Sequence, residues 1–441
     1  MPFRFERGDD TFPPMRSFLL LALVACSSSK SDPSESGALD TSGGDTSLTL
    51  DVPAPCSSGT WGSADEATAA ASWHVHEGAS GGGSVEAPFA SIQEAIEATR
   101  ADGASKSIVV WPGRYVASLD LGGSDLGDVG LRLLGCGTDD VTIEGDAVNS
   151  PVVRLSTAAS VEVAGVTLTG GRRGVLAWQG SALTLRDVVA DQTGRVGIVI
   201  DGSSSVATLD RVRVLNPSIE GSSAAYGIAV QNAALTATDL EVSGAGTAGI
   251  VIDGSSSIVS LNRVSVADTA MAADGRFGRG IQIQGQASVA IANANLVRNH
   301  DAGIFALQAM SVRLEAVDVS ETLAAGIAPA GLRDVDAGTS ADGITITDGA
   351  PDESWAERYF SAELVSVTVD APGRAGVLLS GDGLSAVLGT IDIGAAGYDP
   401  GAGLPIVQDG AAATGADVYT IDTANALRFN ADTLTSDDPA L

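Results

Sequence analysis

The chain has 441 residues, 54 of them glycine, with 44% hydrophobic and 4% aromatic residues and a formal charge of −31. No basic stripe is available to neutralise phosphates, which excludes nucleic-acid binding. Abundant glycine with few aromatics suits thin strands and tight turns filled by Val, Ile, Leu and Ala.

Met15 opens MRSFLLLALVAC, where Arg16 precedes a short apolar core, Ser17 to Ala25. That core is too short for a permanent membrane span. Leu23-Val24-Ala25-Cys26 resembles the lipobox of bacterial lipoproteins, which implies that Cys26 becomes the lipidated first residue of an exported chain. Residues 1–14 carry acids ahead of the core, so the start is Met1 or Met15. Residues 1–26 thus read as a signal peptide with lipobox, and 27–60 as a polar Ser/Gly/Asp tether with little to bury. Cys56 and Cys136 remain. An oxidising compartment permits a disulfide between them, and two free thiols are the alternative.

Ile92, Ala95, Ile96 and Thr99 share one face at helical spacing. Ser91 and Glu94 form a capping box and Gly103 is a natural stop, giving a helix over about 91–102. A strand at 107–111 and a turn at Pro112-Gly113-Arg114-Tyr115 follow. The run APFASIQEAIEATRADG with SIVVWPGRYVASLDL resembles the opening of right-handed parallel β-helix proteins of the pectin-lyase-like superfamily. The resemblance implies an all-β fold, a single right-handed parallel β-helix with an N-terminal capping helix. It covers roughly residues 84–400.

The repeat itself is read from the residues. GIVIDGSSS occurs at Gly197–Ser205 and again at Gly249–Ser257. Weaker copies open at Gly174, Gly227, Gly280, Gly303, Gly326 and Gly376, so a unit of strand, turn and strand recurs as in a solenoid. About ten coils at ~4.8 Å each give a rod on the order of 50 Å. Alternate residues, such as Ile198 and Ile200, point into the bore. Asp187, Asp210, Asp239 and Asn262 are read as one coil position, serving turn bonds or a side-chain ladder, with calcium or sugar binding as the alternative. A larger insertion is expected at about 331–361. The solenoid is placed at 61–400, with 401–441 as a C-terminal cap and loose tail.

Chemistry is sparse. The resemblance brings lyases, epimerases and hydrolases, which need a base with a charge-neutralising partner, or carboxylates across the scissile bond. The weak catalytic candidates are His300 and Asp301, with Arg195 and Arg374 placed on the same corner and Asp301 orienting His300. The weak ligand-binding candidates are the aromatics Trp355, Tyr359 and Phe360 in the insertion, and Tyr226 and Phe277 at the ends of two long returns; packing onto the barrel is their other reading. No metal-ligand spacing occurs and no cofactor is expected, Ca²⁺ being the weak alternative. The expectation is a monomeric, lipid-anchored protein of the bacterial outer membrane or cell surface. It displays loops for a polysaccharide or envelope-protein partner and is non-catalytic. The alternatives are a uronate lyase or epimerase, and a passive spacer.

Overall fold

The computed structural model describes residues 72–104, 107–123, 130–146, 149–157, 159–217, 225–272, 277–323, 341–347, 360–370, 375–380, 384–393, 404–409, 412–414 and 419–421. The chain divides into units 1–50 and 51–441, and every described residue belongs to the second.

One coil shows how the residues make the fold. Val196–Asp201 is a strand with Ile198 and Ile200 turned into the bore. At the next corner Gly202 has φ 103°, a left-handed conformation that side chains resist. Ser205 closes this turn: its hydroxyl donates to the Asp201 carbonyl at 2.7 Å and accepts from the Gly180 amide at 3.1 Å. Gly254 (φ 97°) and Ser257 repeat the device in the second copy of the string. The following strand, Val206–Leu215, buries Leu209 and Val212, which lie three residues apart. Strict alternation would put them on opposite faces. Arg211 resolves the conflict by adopting φ 53°, which bends the strand and resets its alternation.

Stacking these coils gives two parallel sheets. The shorter strands, including Arg173–Trp178, Val196–Asp201, Tyr226–Gln231, Ala248–Asp253, Arg279–Gln284, Asp301–Leu307 and Ala341–Thr347, form an eleven-stranded sheet. The long bent strands belong to a sixteen-stranded sheet. Each strand pairs in parallel with its equivalent one coil away, as Ile198 with Ile228 and Ile228 with Ile250. Strand-to-parallel-strand connections of this kind are right-handed, and the fold is a right-handed parallel β-helix.

Glycine near the start of the repeated short strands has a steric reason. A Cβ at Gly249 would lie 2.7 Å from the Gly280 carbonyl oxygen and collide with Val266. Gly197, Gly227 and Gly303 face Val214, Val242 and Val319 in the same way. The glycine frame and the apolar residue near the end of the long strand it faces are therefore one feature.

The helix spans Ile92–Asp102 and buries Ile92, Ala95, Ile96 and Thr99. Ser91 accepts from the Glu94 amide at 3.2 Å, and the Glu94 carboxylate accepts from Ala90 at 3.1 Å. Gly103 ends it at φ 65°. A strand not anticipated from the sequence, Ser72–Val75, precedes the helix and pairs with Ser107–Val110. Burial of Tyr115, whose hydroxyl donates to Trp111 O, pushes that phenol up to about 12.

Two register assignments are corrected. The coil after Gly303 opens at Gly343: Ile304 pairs with Ile344 and Ile344 with Val377. Residues 341–347 are thus a coil strand, and 331–361 is not one insertion; Gly326 lies outside the described residues. The supposed single column of acids is two columns. Arg186, Asp210, Thr238 and Asn262 pair along one. Asp187, Arg211, Asp239, Arg263 and Asn293 occupy the neighbouring bend, all at φ 52–54°.

Candidate functional site

Polar groups gather at two places on the β-helix. The first is the outer face of the eleven-stranded sheet, where Tyr226, Arg279, Gln282, Asp301, Phe305 and Asp342 are all buried. Arg279 Nε donates to Asp301 Oδ2 at 2.7 Å, with the side chains 4% and 2% exposed. The guanidinium lies over Phe305, 3.5 Å from its centroid, and 5.2 Å from that of Phe277. Burial pulls Arg279 below its ordinary value, opposed by Asp301 and Asp342. The Asp342 carboxylate accepts from Thr345 at 2.8 Å.

This arrangement corrects the expected catalytic group. Asp301 does not orient His300, because its carboxylate is taken by Arg279. Nδ1 of His300 instead lies 2.8 Å from the Thr269 carbonyl, so that nitrogen carries the proton. Arg195 and Asp301 do not share a site. Their strands are separated by four inter-coil steps, Val196 to Tyr226 to Ala248 to Arg279 to the Asp301 strand, about 19 Å along the axis. Phe360 is no ligand platform either. It is 4% exposed and belongs to the core. Tyr226 is buried on the sheet's outer face and Phe277 packs on Arg279. Arg374, Trp355, Tyr359, Cys26 and Cys56 lie outside the described residues. Cys136 is fully buried and disulfide-bonded.

The second place is an open groove of about 420 Å³ along the bend of the long strands, lined by Arg211, Arg213, Asp239, Leu240, Glu241, Arg263, Val264, Ser265 and Asn293. Its side chains form a ladder that alternates in charge. Arg211 pairs with Asp187 at 2.6 Å, and Arg263 with Asp239 at 2.6 Å. Arg213 pairs with Glu241 at 2.7 Å, and Asn293 donates to Asn262 at 2.8 Å. The Arg263 fork holds Asp239 below the usual carboxylate range. The forks of Arg211 and Arg263 are each met bidentately by a carboxylate, Asp187 and Asp239. The sequence singled out Asp239 but missed the groove.

A profile of the family described as "Periplasmic copper-binding protein (NosD)" matches residues 138–330, a run of these coils. The parallel β-helix is the fold that the resemblance of residues 84–400 implied. No curated protein matches the sequence. Among solved structures, the chain is similar to the catalytic domain of a GH87 α-1,3-glucanase in complex with nigerose, with 10% identity and a TM-score of 0.47 over 74% of this chain and 64% of that one. An alginate lyase from Paenibacillus sp. is similar at 13% identity and a TM-score of 0.42, over 70% of this chain and 92% of that one. The A-module of the Azotobacter vinelandii mannuronan C-5 epimerase AlgE6 gives 17% and 0.44, over 73% and 94%. The chain spans about 64% of the length of the glucanase domain it matches.

A copper site needs His, Cys or Met donors. Residues 138–330 carry one histidine, His300, with Met271 and Met310. Among the described residues no group of three or more His, Cys, Asp or Glu side chains converges. This donor set does not fit a copper site.

Proposed function

We propose that this protein is an exported, lipid-anchored, non-catalytic β-helix that holds polysaccharide in the groove of the bent strands. The groove carries the reading: it is open, it crosses four coils, and its walls repeat hydrogen-bonding forks. The expected acid–base group offers no comparable access, since Asp301 is buried in its pair with Arg279. Three guanidiniums face the four carboxylates of Asp187, Asp210, Asp239 and Glu241, so the lining favours a neutral glycan. Export is supported by the matching family's description as periplasmic. Anchoring rests on Cys26.

The test is a screen of neutral and uronate oligosaccharides against the purified protein and its Arg263→Ala variant. Neutral oligomers should bind, and loss of the fork should weaken them roughly tenfold, as for hydrogen bonds to charged groups. Binding that ignores Arg263→Ala would remove the groove from the reading. Unsaturated products formed from uronate polymers, and lost in His300→Ala, would establish a lyase instead.

A further inference from the structure

Most of the described arginines of the coils are neutralised. Arg132 and Arg186 share Glu162, and Arg211, Arg213, Arg263, Arg279, Arg298 and Arg313 each hold a carboxylate. In a chain with 55 acidic residues this is the expected outcome. Arg154 lies over the Trp178 ring instead, and Arg172, Arg173 and Arg195 also depart from it. These last three sit together where two successive returns meet the eleven-stranded sheet. Arg173 pairs in register with Val196, and the Val196 amide donates to the Arg172 carbonyl at 3.4 Å. Arg195 is thereby stacked one coil above Arg172, about 4.8 Å along the axis.

All three are half-buried, and none has a carboxylate within ion-pair distance among the described residues. The Nε of Arg195 is buried without an acceptor. Burial and the charges of Arg172 and Arg195 lower the pKa of Arg173, with Asp201 giving partial relief at longer range. Three mutually repelling guanidiniums and an orphaned donor make a site that lacks only acceptors.

We infer that Arg172, Arg173 and Arg195 form a binding site for a tetrahedral oxyanion, a phosphate or sulfate group. A group with three acceptor oxygens and close to two negative charges answers three forks, which a single carboxylate does not. The site lies on a different face from the groove and stands whether or not the groove binds glycan.

Binding is read by calorimetry and thermal shift with inorganic phosphate, sulfate, acetate and a hexose phosphate. Phosphate and sulfate should bind and raise the melting temperature, with acetate at least tenfold weaker and all binding weakened by salt. Tighter binding of the hexose phosphate than of inorganic phosphate would identify a glycan as the source, and equal binding the free ion. Arg195→Gln should weaken phosphate roughly ten- to a hundredfold. The same change should leave the ligand-free protein as stable as before or more so, because it removes repulsion. A variant that melts lower without ligand yet keeps the phosphate shift would overturn the site. Acetate binding as well as phosphate would also overturn it.

Discussion

A single methyl group tests the glycine column. Gly249→Ala places a Cβ against Val266 and the Gly280 carbonyl, so overpacking should cost ~1–3 kcal/mol. Gly82→Ala meets nothing within 4 Å and should be near neutral. Urea midpoints of the two variants make the comparison, and equal midpoints would refute the steric account. Carboxylates separate by the sign of their response to acid. Arg263 and Arg298 hold Asp239 and Asp268 low. Their contribution is complete above the unfolded carboxylate value, near 3.9, and is lost as pH falls through the lowered folded values. Asp253 is raised by burial, against hydrogen bonds from Gln284 and Gly254. Its ionised form opposes folding, and that penalty is complete at neutral pH and fades in acid. Asp239→Asn should therefore lower the midpoint at pH 7, and Asp253→Asn should raise it, with both differences vanishing on acidification. Persistence of either difference in strong acid would assign it to packing instead.

At the scale of elements, a pair of coils is the unit to cut. Deleting residues 198–227, one coil of 30 residues, removes Arg211 and stacks Asp187 on Asp239. Deleting 198–249, two coils of 52 residues, rejoins identical strings and stacks Asp187 on Arg263. Like charges on neighbouring strands destabilise and opposite charges do not. The longer deletion should therefore melt higher and in one transition by circular dichroism, although more of the protein is missing. The reverse order would show that the ladder contributes nothing. Much of this architecture was legible. The capping box, the glycine frame and the repeated string each state a local rule that the backbone obeys. The bend was less so, because an arginine at positive φ follows no strong preference. Its trace is Leu209 and Val212, both apolar and out of alternation. The coil at Gly343 also had a signal. The competing frame at Gly326 carries Pro329, which lacks the amide that a central strand requires. The buried pair of Arg279 and Asp301 had none, since 22 residues of chain hide a contact between adjacent coils.

For the whole molecule, the cysteines divide the chemistry. Cys136 is a half-cystine, and we propose Cys56 as its partner and Cys26 as the lipidation site. Peptide mapping without reductant should recover the 56–136 pair, and its loss should cost roughly 2–5 kcal/mol. Cys26→Ser should move the protein from the membrane to the soluble fraction without changing its melting temperature. A soluble wild-type protein, or a 26–136 bridge, would refute this division.

The parallel stacking also has a mechanical side. Every inter-coil hydrogen bond points along the axis of the solenoid, so a bending force is shared by whole sheets. An axial pull instead falls on the ladder of one terminal coil at a time. The solenoid is therefore stiff against sideways load but peels from an end under tension, and parting the coils of Asp187 and Arg211, or of Asp239 and Arg263, also breaks an ion pair at the bend.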